Sequence, residues 1–332
     1  MIKLKLQNTK IGYVLKKKSK ILLQNSNISA EEGELIALIG INGSGKSTLL
    51  RTIIGLQQVL SGNIIINGIN QTKYNKSDLA KIIAYVSSEI IQTKYLKVKD
   101  VVSLGRFPHQ KFTDQNSEKD KKIIETALKT VGMSNFKDRY ISEISDGERQ
   151  KIMTARALAQ DTDIILADEP AAFLDLESKF ALYNLLSDTA KNSNKTIIFS
   201  THDLNIALKY CDKVWLIRNK TIYEGSPEDL ILNGMLQNIF SDKHVIFNSE
   251  TFEFSVKADK KYPVKIINNY QSEDFRNIII NGLKRKGFYV SDMPDIPVIE
   301  TKKNKNFIII KNNKRYEAKN IYDLLKIFGN KK

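Results

Sequence analysis

The chain has 332 residues, of which 42% are hydrophobic and 27% are charged, a composition typical of a folded protein and unlike that of a disordered one. Its single cysteine, Cys211, excludes an internal disulfide. Lysine and arginine outnumber aspartate and glutamate by 52 to 37, which gives a formal net charge of +15. Because the lysines are spread through the chain, a generally basic surface is favoured over a dedicated site for nucleic acid or anionic lipid.

Strand and helix patterns alternate along the first three quarters of the chain. Residues 1–30 have the pattern of strand, loop and strand. Short apolar runs predict further strands at Leu35–Ile39, Ile64–Asn67, Ile82–Val86, Ile164–Ala167, Ile197–Ser200 and Val214–Ile217. Helices are expected at Ser47–Gly55, Ser77–Lys81, Lys119–Val131, Glu148–Ala159 and about Leu176–Lys191, and residues 89–118 are expected to be rich in loops. This order predicts an α/β fold with a largely parallel sheet covered by helices.

The pattern changes near residue 245. Strands are predicted at Phe252–Val256, Val264–Ile267 and Phe307–Lys311, and helices at Ser272–Lys286 and Ile321–Ile327. The chain is therefore expected to have a domain at residues 1–244 and a small α+β appendage with its own core at residues 245–332. The appendage carries no recognisable catalytic pattern, and a regulatory role and a dimer-stabilising or purely structural role are both open.

The apolar runs are all strand-sized, so none is expected to cross a bilayer. The N-terminus alternates apolar and polar residues and lacks the apolar core of a secretion signal. Any membrane role would therefore need a separate spanning partner.

A glycine-rich turn follows the strand at Leu35–Ile39. The segment Gly40–Ser47 fits the P-loop pattern, in which a glycine and four further residues precede Gly-Lys-Ser. Glycines let backbone N–H groups face phosphate oxygens, and the helix that follows presents its positive end to the same anion. The lysine charge suits the β- and γ-phosphates, and the serine hydroxyl suits Mg²⁺. The expected nucleotide-binding residues are Gly40, Asn42, Gly43, Ser44, Gly45, Lys46, Ser47 and Thr48.

Two carboxylates follow the strand at Ile164–Ala167. Beside a P-loop, Asp168 is expected to bind Mg²⁺ together with Ser47, and Glu169 to polarise the water that attacks the γ-phosphate. A pair of surface acids at a strand end is the alternative. The strand at Ile197–Ser200 delivers His202 to the same edge of the sheet, where it would bond the γ-phosphate or cap the strand.

The segment Ile144–Gln150 resembles the signature motif of ABC transporter ATPases, which usually reads Leu-Ser-Gly-Gly-Gln followed by a basic residue. The order of P-loop, signature, Asp-Glu-Pro, Leu-Asp and Ser-Thr-His-Asp also resembles that family over about residues 1–240. The resemblance implies the fold of a P-loop ABC ATPase: a parallel-rich sheet, a helical subdomain and N-terminal antiparallel strands.

The resemblance also implies how the chain binds ATP and Mg²⁺. Two copies would sandwich ATP, each site pairing the P-loop of one copy with Ser145, Gly147 and Glu148 of the other. Leu174 and Asp175 match the family's loop at this dimer interface. Tyr13 matches the aromatic residue that stacks on adenine, although a simple strand-end aromatic is an equal alternative.

Two residues depart from the family pattern. Asp146 replaces the first glycine of the signature and adds negative charge near phosphate. Glu89 stands where the family has a glutamine that contacts the metal or water, so the sequence predicts Glu89 as a catalytic and metal-binding residue.

The segment Val98–Pro108 contains Leu-Gly-Arg, an aromatic residue and proline. It resembles the ATPases of bacterial importers for iron–siderophore complexes, haem and vitamin B12, and a generic helical loop is the alternative. The resemblance implies a peripheral subunit at the cytoplasmic face of the membrane, with permease subunits as partners and a periplasmic or surface substrate-binding protein as an indirect one. An ABC importer for another substrate is an alternative, as is a nucleotide-binding regulator with no turnover, which the retention of Glu169 and His202 argues against. The competing hypothesis is a soluble ABC ATPase of translation or repair. The single P-loop and the lack of coiled-coil heptads argue against it, and no nucleic acid partner is expected.

Overall fold

The computed structural model describes residues 1–15, 18–88, 95–110, 117–236, 245–248, 253–256, 261–268, 272–302 and 306–329. It divides into two compact units, Met1–Ser241 with Phe247–Phe254 and Asp242–Ile246 with Ser255–Lys332. The segment Phe247–Phe254 groups with the first unit, whereas the sequence assigns all residues after 244 to the appendage.

The elements follow one another in the order expected for strands alternating with helices. In the first part of the chain they are β1 (Ile2–Leu15), β2 (Lys18–Glu31), β3 (Leu35–Ile39), α1 (Lys46–Ile53), β4 (Ser61–Ile66), β5 (Ile69–Asn70), α2 (Lys76–Ile82), β6 (Ile83–Val86), α3 (Val98–Ser103), α4 (Glu118–Thr130), α5 (Asp146–Ala159), β7 (Ile164–Ala167), α6 (Leu176–Ser193), β8 (Thr196–Thr201), α7 (Leu204–Tyr210), β9 (Lys213–Arg218), β10 (Thr221–Gly225) and α8 (Pro227–Leu232). They are followed by β11 (Val245–Asn248), β12 (Glu253–Val256), β13 (Tyr262–Ile267), α9 (Glu273–Lys284), β14 (Phe288–Val290), β15 (Val298–Thr301), β16 (Phe307–Lys311), β17 (Lys314–Ala318) and α10 (Ile321–Gly329).

The central sheet of the first unit has the strand order β10-β9-β3-β8-β7-β6. From β9 to β6 the neighbouring strands are parallel, and β10 is an antiparallel edge strand. Every residue of β3, β7 and β8 is buried, as expected for parallel strands covered on both faces. The carboxyl ends of β3, β7 and β8 therefore lie at one edge of the sheet.

A second, antiparallel sheet in the order β2-β1-β4-β5 carries the N-terminal strands. Its buried face includes Leu4, Leu6, Leu23 and Ile64, which belong to the same apolar cluster as Leu49 of α1. The sheet thus packs on the helix that follows the glycine-rich turn.

Helices α3, α4 and α5 form a helical layer with its own apolar cluster. The expectation that residues 89–118 are rich in loops is wrong for its middle part, where α3 and a 3₁₀ helix at Leu104–His109 occur. Helix α3 is only six residues long and is stabilised by the burial of Val98, Val101 and Val102. Such stabilisation by tertiary packing is not visible in a short local sequence pattern.

The 3₁₀ helix at Leu104–His109 lies close against α5. A Cβ atom on Gly105 would come within 2.3 Å of the Arg156 carbonyl oxygen, so only glycine fits. Arg106 is 5% exposed and donates to Asp120 of α4 (2.7 Å) and to the Ala159 carbonyl of α5 (2.9 Å). Hydrogen bonds from Ser117, and the bond from Arg106, hold the pKa of the Asp120 carboxyl below its usual range.

The second unit contains a mixed sheet in the order β14-β13-β15-β16-β17. Strands β14 and β15 are parallel to β13, and the remaining pairs are antiparallel. Helices α9 and α10 contribute Ile279, Leu283 and Leu324 to a core with Val264 and Ile299 of the sheet. The unit is α+β, with a core separate from those of the first unit.

Among the residues that the structure describes, no helix is both long enough and apolar enough to cross a membrane.

Candidate functional site

The glycine-rich turn joins β3 to α1. Gly45 directly precedes α1 with a φ of +105°, a left-handed conformation that favours glycine. Lys46 is only 6% exposed, and its Nζ donates to the Gly40 carbonyl at 2.9 Å. The lysine is thereby folded back over its own loop, where an anion in the turn would meet it.

The charge of Lys46 is influenced by the two acids that follow β7. Burial lowers the pKa of Lys46 from its usual range, and the negative charges of Glu169 and Asp168 oppose that shift. The structure thus brings together the P-loop lysine and the acid pair, which are more than a hundred residues apart in the sequence.

Ser200, on β8, organises the acid pair. Its hydroxyl donates to Asp168 Oδ1 at 2.6 Å and accepts the backbone N–H of Glu169 at 2.9 Å. Glu169 has a φ of +48°, which is uncommon for a residue other than glycine and often marks a functional site. Ser200 is not among the site residues that the sequence motifs predict. Its position as a polar residue directly after the buried apolar run Ile197–Phe199 is the sequence feature that could have indicated a site residue.

The second carboxylate oxygen of Asp168, Oδ2, is buried and has no hydrogen-bond partner among the described residues. Burying an unpaired charged oxygen costs several kcal/mol unless a cation or donor compensates for it. Oxygen atoms of carboxylates and hydroxyls are the ligands that Mg²⁺ prefers. The donor set of Asp168 with the half-buried Ser47 therefore fits a magnesium ion.

Glu169 and His202 face each other across the ends of β7 and β8. The Nδ1 atom of His202 lies 3.7 Å from Oε2 of Glu169, and their side chains are 64% and 31% exposed. Both groups are accessible to a molecule bound at the P-loop. The three predicted parts of the hydrolytic site thus meet at one edge of the sheet.

Tyr13 lies near the start of α1, where its hydroxyl contacts Thr48. The two hydroxyl oxygens are 2.5 Å apart, in hydrogen-bond contact, and the Tyr13 side chain is 41% exposed. A cavity of about 820 Å³ adjoins the P-loop, lined by residues 19–22, by Ile41, Gly43 and Ser44, and by residues 217–220. Its volume suits a small-molecule ligand.

The signature residues form a separate helix start. Ser145 caps α5: its Oγ accepts the Glu148 N–H, and its own N–H donates to Glu148 Oε2 at 2.8 Å. This reciprocal cap is a stable helix N-terminus. No hydrogen bond between described residues links Ser145, Gly147 or Glu148 to the P-loop of the same chain.

The charge of Asp146 is already paired. Its Oδ1 lies 2.7 Å from Nη1 of Arg149, and Arg149 also donates from Nε to the Ile141 carbonyl at 3.0 Å. The ion pair reduces the repulsion that Asp146 would exert on a phosphate at this helix start. Glu89, the predicted substitute for the usual glutamine, lies outside the described residues.

A family model described as ABC transporter matches residues 23–172. The achromobactin transport ATP-binding protein of Dickeya dadantii is 34% identical over 232 residues, which are 70% of this chain and 85% of that protein. The chain belongs to the ATP-binding proteins of ABC transporters. The iron(3+)-hydroxamate import ATP-binding protein of Bacillus subtilis, another ABC relative, is 32% identical over 234 residues, or 70% of this chain and 87% of that protein.

Solved ABC structures share the fold. A metal-chelate type ABC transporter in an inward-facing conformation superposes with a TM-score of 0.64 at 26% identity, covering 76% of this chain and 96% of that one. A dimeric ATP-binding cassette bound to ADP and Pi gives 0.61 at 27% identity, covering 68% and 98%. The predicted family and fold are thereby confirmed, and the chain is an ATP-binding and ATP-hydrolysing protein of an ABC transporter.

Proposed function

We propose that the chain powers import of an iron chelate, most specifically a siderophore complex, by hydrolysing ATP between two copies of itself at the inner face of the membrane. The observation that carries the hydrolytic part is the meeting of Lys46, the acid pair and His202 at one sheet edge. The cargo rests on the relatives and on the metal-chelate type transporter named above.

Each side chain at the edge has a distinct task in hydrolysis. The turn from Gly40 to Ser47 and the Lys46 ammonium hold the β- and γ-phosphates. The Glu169 carboxylate accepts a proton from the attacking water. As it does so, the water oxygen forms a bond to the γ-phosphorus, and the bond between the γ-phosphorus and the bridging oxygen of ADP breaks. His202 donates a hydrogen bond to a γ-phosphate oxygen.

Asp168 and Ser47 would hold Mg²⁺. The ion supplies positive charge that stabilises the phosphate oxygens. The hydrogen bond from Ser200 keeps the buried Asp168 carboxylate oriented. This metal-binding side chain would therefore be in place before the nucleotide binds.

The second copy completes each site. Gly147 at the start of α5 would present its backbone N–H, and Ser145 its hydroxyl, to the γ-phosphate held by the partner's P-loop. A capped helix start that bonds nothing in its own P-loop supports this arrangement, as does the dimeric ATP-binding cassette to which the chain is similar.

The permease contact is proposed for the helical layer. Leu104 and Phe107 are 49% and 68% exposed beside the buried Arg106 anchor, which gives the permease an apolar surface on a rigid support. A substrate-binding protein outside the membrane would deliver the chelate to the permease.

Deletion of the gene, with restoration by either the wild-type chain or the Glu169→Gln variant, tests the cargo. We expect loss of growth and of radiolabelled iron uptake on one class of ferric siderophore, restored only by the wild type. Unchanged uptake of every siderophore, haem and corrinoid in the deletion strain would refute the assignment of cargo.

A further inference from the structure

The second unit carries most of the net charge of the chain. Residues 255–332 contain 18 lysine and arginine residues and 8 aspartate and glutamate residues, a formal net charge of +10 out of +15. The sequence spreads these lysines over several segments, and only the fold shows which of them meet.

The topology of the second unit collects basic residues at one end. Helix α9 ends at this end of the unit with Lys284. The start of strand β13 lies beside it, since the Lys261 N–H donates to the Gly287 carbonyl at 2.9 Å. The turn between β16 and β17 lies at the same end, and Lys311 and Lys314 stand opposite each other in the register of these two strands. We call Lys261, Lys284, Arg285, Lys286, Lys311 and Lys314 the basic end.

Aromatic contacts confirm that these segments are neighbours. The Phe288 ring, two residues after Lys286, lies 4.9 Å from the Phe328 ring of α10. The Nζ atom of Lys311 lies 5.9 Å from the centroid of that same Phe328 ring. The two basic segments, 284–286 and 311–314, are therefore held together by the core of the unit.

Five of the charges at this end, those of Lys284, Arg285, Lys286, Lys311 and Lys314, are not balanced by acids among the described residues. Lys284, Arg285, Lys286 and Lys314 are exposed, and in the described part of the chain no carboxylate forms an ion pair with them or with Lys311. The opposite end carries charges of both signs. Acids lie there in the first turns of the two helices, namely Glu273, Asp274 and Asp323, together with Lys302 and Lys319.

Helix dipoles account for only part of the pattern. Both α9 and α10 end at the basic end, and each helix C-terminus carries the equivalent of roughly half a negative charge. Two such ends offset about one of the five cations that no described carboxylate pairs. The remaining repulsion indicates a surface whose charge is neutralised by a partner.

We propose that the basic end binds the anionic headgroups of membrane phospholipids. This inference rests on the proposed function, because that function places the chain beside a membrane whose inner leaflet is anionic. Five of the six residues are lysines, which are flexible point charges suited to diffuse attraction. Nucleic acid recognition relies more on arginine forks and free aromatic faces, and here the neighbouring Tyr262 ring packs on Phe288 at 5.3 Å.

Co-sedimentation of the purified full-length chain with vesicles tests the proposal. Vesicles of phosphatidylglycerol and phosphatidylcholine in equal parts are compared with vesicles of phosphatidylcholine alone. We expect binding only to the anionic vesicles, weakening as salt is raised. Because each cation near such a surface contributes roughly fivefold in affinity, the triple variant Lys284→Gln/Arg285→Gln/Lys286→Gln should lose on the order of a hundredfold.

Matched variants isolate the basic end from the total charge. Lys119→Gln/Lys122→Gln/Lys129→Gln removes the same charge from exposed positions of α4 and should bind like the wild type. The double variant Lys311→Gln/Lys314→Gln reaches the basic end from the other segment and should weaken binding independently. Circular dichroism checks that each variant is folded.

Several outcomes would overturn the inference. These are equal loss in the α4 variant, undiminished binding by the triple variant, equal binding to neutral vesicles, or tighter lysine-dependent binding to a DNA or RNA oligonucleotide than to vesicles. ATP hydrolysis by the triple variant without lipid should be normal, and Lys46→Ala should keep vesicle binding without hydrolysis. A failure of this inference is thereby distinguished from a failure of the proposed function.

Discussion

Removing the Ser200 hydroxyl should uncouple the two carboxylates of the hydrolytic site. In Ser200→Ala, Asp168 loses a 2.6 Å donor and the Glu169 N–H loses its 2.9 Å acceptor. A hydrogen bond to a charged group contributes roughly 1.5–3 kcal/mol, and a neutral one about 1 kcal/mol. We therefore expect the first unit to lose about 2.5–4 kcal/mol of unfolding free energy, by the sum of those two bonds.

Turnover should fall further than binding. Ser200 fixes the Asp168 carboxylate and the backbone of Glu169, and small misplacements of reacting groups cost roughly tenfold to a hundredfold in rate. We expect kcat for ATP to fall by about that factor, with a higher Mg²⁺ requirement and a smaller change in KM for ATP. Steady-state phosphate release over a Mg²⁺ titration measures all three.

Ser26→Ala is the matched control. Ser26 is fully buried, but its Oγ has no partner among the described residues, so losing it should change stability by less than about 0.5 kcal/mol, or even raise it. Trp215 is the only tryptophan and is buried in the first unit, so its fluorescence follows urea unfolding of that unit. Wild-type kcat and Mg²⁺ dependence in Ser200→Ala would refute the role given to Ser200.

Further variants test other contacts. Asp120→Asn, which leaves the Arg106 guanidinium buried without its anion, should destabilise the first unit by about 3–5 kcal/mol in urea unfolding, whereas Asp138→Asn breaks an exposed pair with Lys99 and should have a much smaller effect. Because the pKa of Asp120 is lowered, the unfolding free energy lost in Asp120→Asn relative to the wild type should be largest at neutral pH. This loss should shrink as the pH falls through that lowered pKa. Lys46→Ala should abolish ATP binding in calorimetry, and retained affinity would contradict its phosphate role. Asp146→Gly should strengthen ATP-dependent dimerisation in light scattering, and weaker association would show that the acid aids the interface.

The placement of the candidate site's parts at one sheet edge could be predicted because each part is a local pattern at a strand end. The P-loop, the acid pair and His202 each follow an apolar run, and parallel strands bring their carboxyl ends together. The ABC family and fold followed from the same motifs and are confirmed by the comparisons.

Contacts between distant segments could not be predicted in this way. The link from Ser200 to the acid pair depends on the β7–β8 register, in which Ala167 lies opposite Phe199. Helix α3 is stabilised by side chains of α4 and α5, so its own six residues give a weak signal. The basic end likewise joins segments whose separation in the sequence suggested a diffuse surface charge.

The oligomeric state of Glu169→Gln in Mg-ATP tests the central claim, that two copies enclose ATP and Glu169 activates the water. With hydrolysis blocked and binding intact, size-exclusion chromatography with light scattering should find a stable dimer with ATP and a monomer without it. A variant that binds ATP yet stays monomeric, or hydrolyses it at the wild-type rate, would contradict the account.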